Sequence, residues 1–101
     1  MIDRKPRTRR SPKWAALAKR FLRGKCCAVC GSAEKVVAHH LVPVHIDATR
    51  ELDETNLLPL CEGRGTLQCH LWAGHLGEYR SWNDTAVADA AYFSQKVKGR
   101  P

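Results

Sequence analysis

Two short segments decide how the rest of the chain is interpreted: Val37-Ala38-His39-His40-Leu41-Val42-Pro43 and Asn56-Leu57-Leu58-Pro59-Leu60-Cys61. Both precede the pair Cys69-His70. Each segment contains a short apolar run, which predicts β-strands over residues 35–40 and 57–60. Residues 43–55 between them are predicted to form a loop that carries an acidic patch. The two strands and the polar residues at their ends therefore form the expected centre of the fold.

Helices are predicted on both sides of these strands. Ser11 suits an N-cap, Pro12 suits the first helical position, and Gly24 ends the first helix. The apolar residues of this helix recur at helical spacing on one face: Trp14, Leu17, Ala18, Phe21 and Leu22. Residues 69–76 are also predicted to be helical, and Gly77 is expected to end that element.

A last helix is predicted over residues 85–97, with Asn83 or Asp84 as its cap. Four of its apolar residues are expected to face the core: Val87, Ala90, Ala91 and Val97. Two strands with flanking helices give an α+β fold class, in a single domain over residues 11–101. The basic and almost apolar-free residues 1–10 are predicted to form a disordered arm.

The charge of the chain favours polyanionic partners. There are 17 Lys and Arg residues against 10 Asp and Glu residues among 101, a formal net charge of +7. Such a surface attracts DNA or RNA, although basic side chains are also common on soluble proteins that bind neither. The candidate phosphate contacts are Arg4, Arg7, Arg9, Arg10, Arg64 and Arg80.

The sequence gives no sign of membrane insertion or export. No run of about 18 apolar residues occurs, so no membrane span is predicted. The basic N-terminus is not followed by the apolar stretch of a secretory signal, and a cytoplasmic location is expected.

Five cysteines predict a metal site rather than a disulfide framework, because their number is odd and histidines lie nearby. Cys27 and Cys30 form a C-x-x-C knuckle, a spacing that lets two thiolates reach one Zn²⁺. Cys61 and Cys69 are the expected second pair, although seven residues separate them. Cys26 in place of Cys27, and His75 in place of a cysteine, are less favoured alternatives.

The C-x-x-C knuckle, the two segments quoted first and the pair Cys69-His70 together resemble the HNH nucleases of the ββα-metal type. Members of that family read C-x-x-C, a His-His-Ile-x-Pro or Asp-His-Ile-x-Pro block, Asn-Leu-x-x-Leu-Cys and then Cys-His. This chain matches all four blocks in order, over residues 27–75. The resemblance implies a ββα-metal core held together by a structural zinc at four cysteines, with helices before and after it.

The resemblance also assigns roles to the residues of the motif. It implies that His40 is the general base, that His39 and His70 bind a catalytic divalent ion, and that Asn56 holds the loop between the strands. A neutral imidazole suits the first role because its ordinary pKa lies near neutral pH. The alternative interpretation of Asn56, which does not use the family resemblance, is a turn-forming residue before a strand.

His75 and Ala73 are the positions where the match is incomplete. The colicin nucleases, which are similar, have an additional metal-binding histidine one helical turn after the closing one. His75 follows His70 by five residues, which in an ideal α-helix is about 140° away from it. Many family members have Lys three residues after the closing His, where this chain has Ala73. His45 has no role in the general motif.

The function implied by the resemblance is metal-dependent nicking or cutting of DNA at phosphodiester bonds, with low sequence specificity because no recognition-helix motif occurs. Imidazole ligands admit Mn²⁺, Ni²⁺ or Zn²⁺, and Mg²⁺ remains an alternative. The Glu62–Gln68 insertion and the Gly74-His75-Leu76-Gly77 segment also resemble small HNH proteins of bacteriophages. This resemblance implies a bacterial or phage-infected cell and cooperation with phage terminase. A zinc-stabilised module that binds nucleic acid without cleaving it is the second hypothesis, and a protein-interaction domain is the third.

Overall fold

The computed structural model describes residues 10–98 and confirms the α+β class. The main elements in chain order are α1 (Trp14–Leu22), β1 (Val36–His40), β2 (Leu57–Cys61), a π-helical turn (His70–Gly74) and α2 (Ala86–Lys98). The predicted arm, with Arg4, Arg7 and Arg9, lies outside the described residues except for Arg10. Within residues 10–98, no helix has the length and apolar character needed to cross a membrane.

The two strands form an antiparallel pair with a helical element on each face. His40 pairs with Leu57, and His39 pairs with Leu58. Because side chains alternate along a strand, these two pairs project to opposite faces of the sheet. The face with His40 packs against α1, and the face with His39 packs against the π-helical turn. Both predicted strands are confirmed, and the predicted loop between them contains 3₁₀ turns at Ala48–Arg50 and Glu54–Asn56.

Helix α1 begins at Trp14, two residues later than predicted. Ser11 is therefore not the N-cap: Lys13 takes that position without a side-chain cap bond, and Ser11 Oγ accepts the backbone N–H of Lys13 at 3.1 Å within the turn before the helix. Pro12 and Lys13 form a turn that leads into the helix. The buried residues Leu17 and Phe21 pack with Leu57 of β2, as the predicted apolar face requires.

Helix α2 buries a different stripe from the one predicted. Ala90 is buried as expected, but Val87 is 54% exposed, and Ala91 and Val97 are also exposed. The inward residues are instead Ala86, Ala90 and Phe93, spaced four and three apart.

Asn83 lies just before the turn that leads into α2 and ties this segment to the preceding element. Its Oδ1 accepts the backbone N–H of Thr85, while its Nδ2 donates to the carbonyl of Ala73 at 2.7 Å. That second bond fixes the start of α2 to the π-helical turn.

The segment predicted to be a helix over residues 69–76 is shorter and wider than expected. It forms a π-helical turn over His70–Gly74, and Leu76 and Gly77 then take positive φ angles of 57° and 86°. A positive φ is unfavourable for a leucine, whereas glycine adopts it readily. Gly77 is thus part of the chain reversal that ends the element, as the sequence indicated.

Candidate metal centres

Four cysteines meet at one point between the knuckle and the sheet. The Sγ atoms of Cys27, Cys30, Cys61 and Cys69 all lie within 4.8 Å of one another. Cys30 Sγ and Cys61 Sγ are 3.7 Å apart. Thiolates at about 2.3 Å from a tetrahedral zinc are about 3.8 Å apart, so the spacing fits that ion. The predicted set of four cysteines is confirmed as a cluster that can hold a metal ion such as zinc.

The chain around the cysteines is shaped to present their sulfur atoms. Cys27 Sγ accepts the backbone N–H of Val29, and Cys61 Sγ accepts that of Cys69, each at 3.4 Å. The seven-residue excursion between Cys61 and Cys69 closes through Gly63, whose φ is 107° and whose carbonyl accepts the Thr66 hydroxyl at 2.7 Å. Cys26 is exposed and stands outside the cluster, which excludes it as the alternative to Cys27.

The thiols of the cluster differ in how readily they ionise. Burial raises the pKa of Cys69 and of Cys30. Burial also opposes ionisation of Cys61, but hydrogen bonds from Cys69, Thr66 and Cys30 outweigh it and lower its pKa to about 7. Of these three thiols, Cys61 loses its proton most readily, and a cation would offset the cost of ionising Cys30 and Cys69.

Three histidines form a second cluster on the opposite side of β2 from α1. His39 comes from β1, His70 begins the π-helical turn and His75 follows it. One ring nitrogen from each lies within 4.8 Å of those of the other two. The Nε2 atoms of His70 and His75 are 3.2 Å apart. Two imidazoles bound to a tetrahedral zinc have nitrogens about 3.3 Å apart, so this pair has the spacing of a metal site.

Hydrogen bonds determine which nitrogens of His70 and His75 face each other. The Nδ1–H of His70 donates to the Glu62 carboxylate, and the Nδ1–H of His75 donates to the carbonyl of Ser81 at 3.0 Å. In the neutral imidazole only one nitrogen carries hydrogen, so both Nε2 atoms present lone pairs. Two lone pairs at 3.2 Å repel unless a cation lies between them.

His39, the third member of the cluster, carries a buried ring nitrogen without a hydrogen-bond partner. Its side chain is 3% exposed, and its Nε2 is the only buried side-chain nitrogen or oxygen within residues 10–98 that lacks a hydrogen bond. A buried polar atom without a partner is costly unless an ion binds it. The three histidines therefore fit a divalent metal ion, with ligands suited to zinc, nickel or copper more than to magnesium.

His75 joins the cluster because the turn that carries it is not an α-helix. A π-helical turn is wider than an α-helical one, with hydrogen bonds from i to i+5, and His75 consequently lies beside His70. The 140° divergence expected from an ideal α-helix does not occur. The sequence contains both residues, but their convergence depends on a backbone geometry that periodicity does not indicate.

Burial keeps His39 and His70 neutral by lowering their pKa values. It is the largest cause that lowers the pKa of His39 to about 3, and the neighbouring His70, His75 and His40 act in the same direction. Burial also lowers the pKa of His70, against the opposing effect of Glu62. Neutral imidazoles are the form that binds metal ions, so the site is ready for a cation at neutral pH.

His40 lies on the other face of β1, in a separate environment. Its ring packs against Trp14 with 4.5 Å between centroids, and its Nε2–H donates to the carbonyl of Glu51 at 2.9 Å. Nδ1 consequently carries the lone pair, and it accepts from Arg10 Nη1 at 3.4 Å. Burial, opposed in part by the bond to Glu51, lowers the pKa of this histidine.

Asn56 holds the loop between the strands in place. Its Oδ1 accepts the backbone N–H of Val42 at 2.9 Å, and its Nδ2 donates to the carbonyls of Val42 and Arg50 at 3.1 and 3.3 Å. The side chain is fully buried. These bonds join the segment after His40 to the segment that carries Glu51, the acceptor for His40.

The other residues singled out in the sequence lie apart from the two clusters. Arg64, Arg80 and His45 are exposed. Ala73 is buried at 2% exposure, so a lysine at this position would have to enter the core. Among the described arginines singled out in the sequence, Arg10 is the one that contacts a candidate site residue, His40.

Gly74 gives the first test of the three-histidine cluster. A Cβ at this position would lie 3.1 Å from His39 Cε1, His39 Nδ1 and Leu60 Cδ1, which is too close for all three. Gly74→Ala is expected to destabilise the protein by about 1–3 kcal/mol and to displace the His39 ring. Thermal unfolding and Co²⁺ titration of the zinc-loaded variant measure the two effects. Unchanged stability together with unchanged Co²⁺ affinity would contradict the packing described here.

Comparison of the chain with protein-family models, with curated proteins and with solved structures finds no match.

Proposed function

We propose that the protein is a metal-dependent HNH endonuclease that hydrolyses phosphodiester bonds of DNA. The observation that supports it best is the convergence of His39, His70 and His75 at one point, next to the chemically separate His40. A metal site and an oriented base, carried here by the consecutive residues His39 and His40 of β1, are the two groups that phosphodiester hydrolysis needs. The order β1, β2 and π-helical turn is compatible with a ββα-metal core, which we include in the proposal.

His40 is proposed to be the general base. The carbonyl of Glu51 can only accept, so it holds the hydrogen on Nε2 and leaves the lone pair on Nδ1. That nitrogen takes a proton from the attacking water. A base held in one orientation avoids the cost of reorganisation during the reaction.

Arg10 is proposed to bind the substrate phosphate. Its guanidinium now donates to the neutral Nδ1 of His40, and a phosphate oxygen is a stronger acceptor because it is charged. Binding of DNA would therefore transfer Arg10 from the imidazole to the phosphate and expose Nδ1 to water. This role supplies the cation that the family otherwise takes from the lysine replaced by Ala73.

His39, His70 and His75 would hold the catalytic ion, which supplies Lewis-acid stabilisation of negative charge on the phosphoryl group. Glu62 and the Ser81 carbonyl keep two of these ligands oriented. The four-cysteine centre, which includes the last residue of β2, would hold a structural zinc. Asn56 is proposed to keep the carbonyl of Glu51 under His40 rather than to transfer protons.

The DNA contacts are proposed to be sequence-independent. The net charge of +7, Arg10 and the exposed Arg64 and Arg80 suit the phosphate backbone. Cooperation with phage terminase in a bacterial or phage-infected cell stays a prediction from the family resemblance.

Plasmid nicking tests the proposal. Zinc-loaded protein is incubated with supercoiled DNA and EDTA, Mg²⁺, Mn²⁺, Ni²⁺, Co²⁺ or Zn²⁺ in parallel. We expect cleavage with a transition-metal ion and none with EDTA. Salt-sensitive DNA retention without cleavage under any ion would instead favour the alternative of a zinc-stabilised module that binds nucleic acid.

A further inference from the structure

We propose that Glu62 is a positioning residue of the three-histidine centre, braced by Tyr79, and that it sets the affinity of this centre for its ion. The inference concerns the same site as the proposed function, but it does not require that the protein cleaves DNA. It is carried by the contacts of two side chains that the motif does not include.

The contact between Glu62 and His70 fixes the coordinating atom. A carboxylate at neutral pH accepts but does not donate, so the hydrogen of His70 stays on Nδ1. Nε2 is then available, and it faces Nε2 of His75. Without Glu62, the ring could rotate or carry its hydrogen on Nε2, and either change removes one of the three ligands.

A charged acceptor also strengthens the ligand. Histidines that bind metals commonly donate their second N–H to a carboxylate or a carbonyl, which makes the coordinating nitrogen more basic. His75 has a backbone carbonyl, Ser81, in this role. The orienting partner of His70 is instead the side chain of Glu62, so a mutation can remove it.

Tyr79 restrains Glu62 from the solvent side. Its hydroxyl donates to Glu62 Oε1 at 3.4 Å, and its ring lies 5.6 Å from that of His70 and 5.2 Å from that of His75. The carboxylate is 41% exposed, so burial alone does not hold it in place. The phenol thus contacts the carboxylate and also packs against the rings of His70 and His75.

Cobalt binding tests the inference without reference to cleavage. Protein with zinc at its cysteines is titrated with Co²⁺, and the absence of a thiolate charge-transfer band shows that cobalt occupies a nitrogen site. We expect Glu62→Ala to bind Co²⁺ about 10- to 100-fold more weakly than the wild type. Glu62→Gln keeps an acceptor but loses the charge, and should lie between the two. Tyr79→Phe should weaken binding by a smaller factor.

Glu34→Gln is the matched control, because it removes one exposed carboxylate from the turn before β1. Its Co²⁺ affinity should equal that of the wild type, as should the zinc content of every variant. Equal or tighter Co²⁺ binding by both Glu62 variants would overturn the inference, and so would a wild type that binds no Co²⁺ at nitrogen. Weakened binding in a protein that never cleaves DNA would refute the nuclease and leave the role of Glu62 intact.

Discussion

Replacing His40 with alanine is expected to slow plasmid cleavage by about 10²- to 10⁴-fold, the usual contribution of a general base. The Glu51 carbonyl orients the imidazole of His40, and alanine provides no group that could act as a base in its place. Metal binding should persist, because His39 and its partners lie on the other face of the sheet. The measurement is the initial rate of nicking with the most effective ion, at equal zinc content.

His45→Ala is the control for this experiment. His45 is an exposed histidine of the loop after β1, so its removal should leave the rate unchanged. His40→Gln serves as a second variant, because it fills more of the space against Trp14 and retains a donor for the Glu51 carbonyl. Cleavage at the wild-type rate by folded His40→Ala and His40→Gln would show that the base lies elsewhere.

The sequence was informative where a local signal determines the structure. Two short apolar runs predicted both strands to within one residue, and the C-x-x-C spacing predicted half of the cysteine cluster. Cys61 and Cys69 followed despite their long separation, because glycines allow the compact excursion between them. In each case the cause lies within a few residues of the effect.

The sequence was less informative where tertiary contacts determine the geometry. Helical periodicity alone gave the wrong stripe for α2, because the helix packs on the π-helical turn through Ala90 and Phe93. The same reasoning separated His75 from His70, because it assumed an α-helix where the chain forms a π-helical turn. That turn is held between Cys69 at its start and the close approach of Gly74 to His39.

The partners of the site histidines were also beyond the reach of motif reasoning. Glu62 follows Cys61 directly, yet only the fold shows that its carboxylate meets His70. The Glu51 carbonyl under His40 is a backbone atom, so no residue type marks it. Arg10 was expected to contact phosphate, but its position at His40 depends on how α1 packs on the sheet. Orienting contacts of this kind depend on register and packing more than on composition.

Cys61→Ser is expected to prevent stable folding of the purified protein. A structural zinc contributes about 10–16 kcal/mol of apparent binding free energy in small domains, against a total stability of about 5–15 kcal/mol for ordinary ones. The apolar core here is divided into two small clusters, and five of the seven buried members of one cluster are the metal-site cysteines or residues next to one of them. Zinc content and thermal unfolding of the variant measure the effect.

Cys26→Ser is the matched control, because it changes an exposed cysteine one residue away from the cluster. It should bind one zinc at the cysteines and unfold like the wild type. A Cys61→Ser protein that unfolds cooperatively at the wild-type temperature would show that the core is sufficient without the ion. A stable fold would then have to come from α1 and the π-helical turn packing on the two faces of a sheet of only two strands, which is seldom enough by itself in a domain of this size.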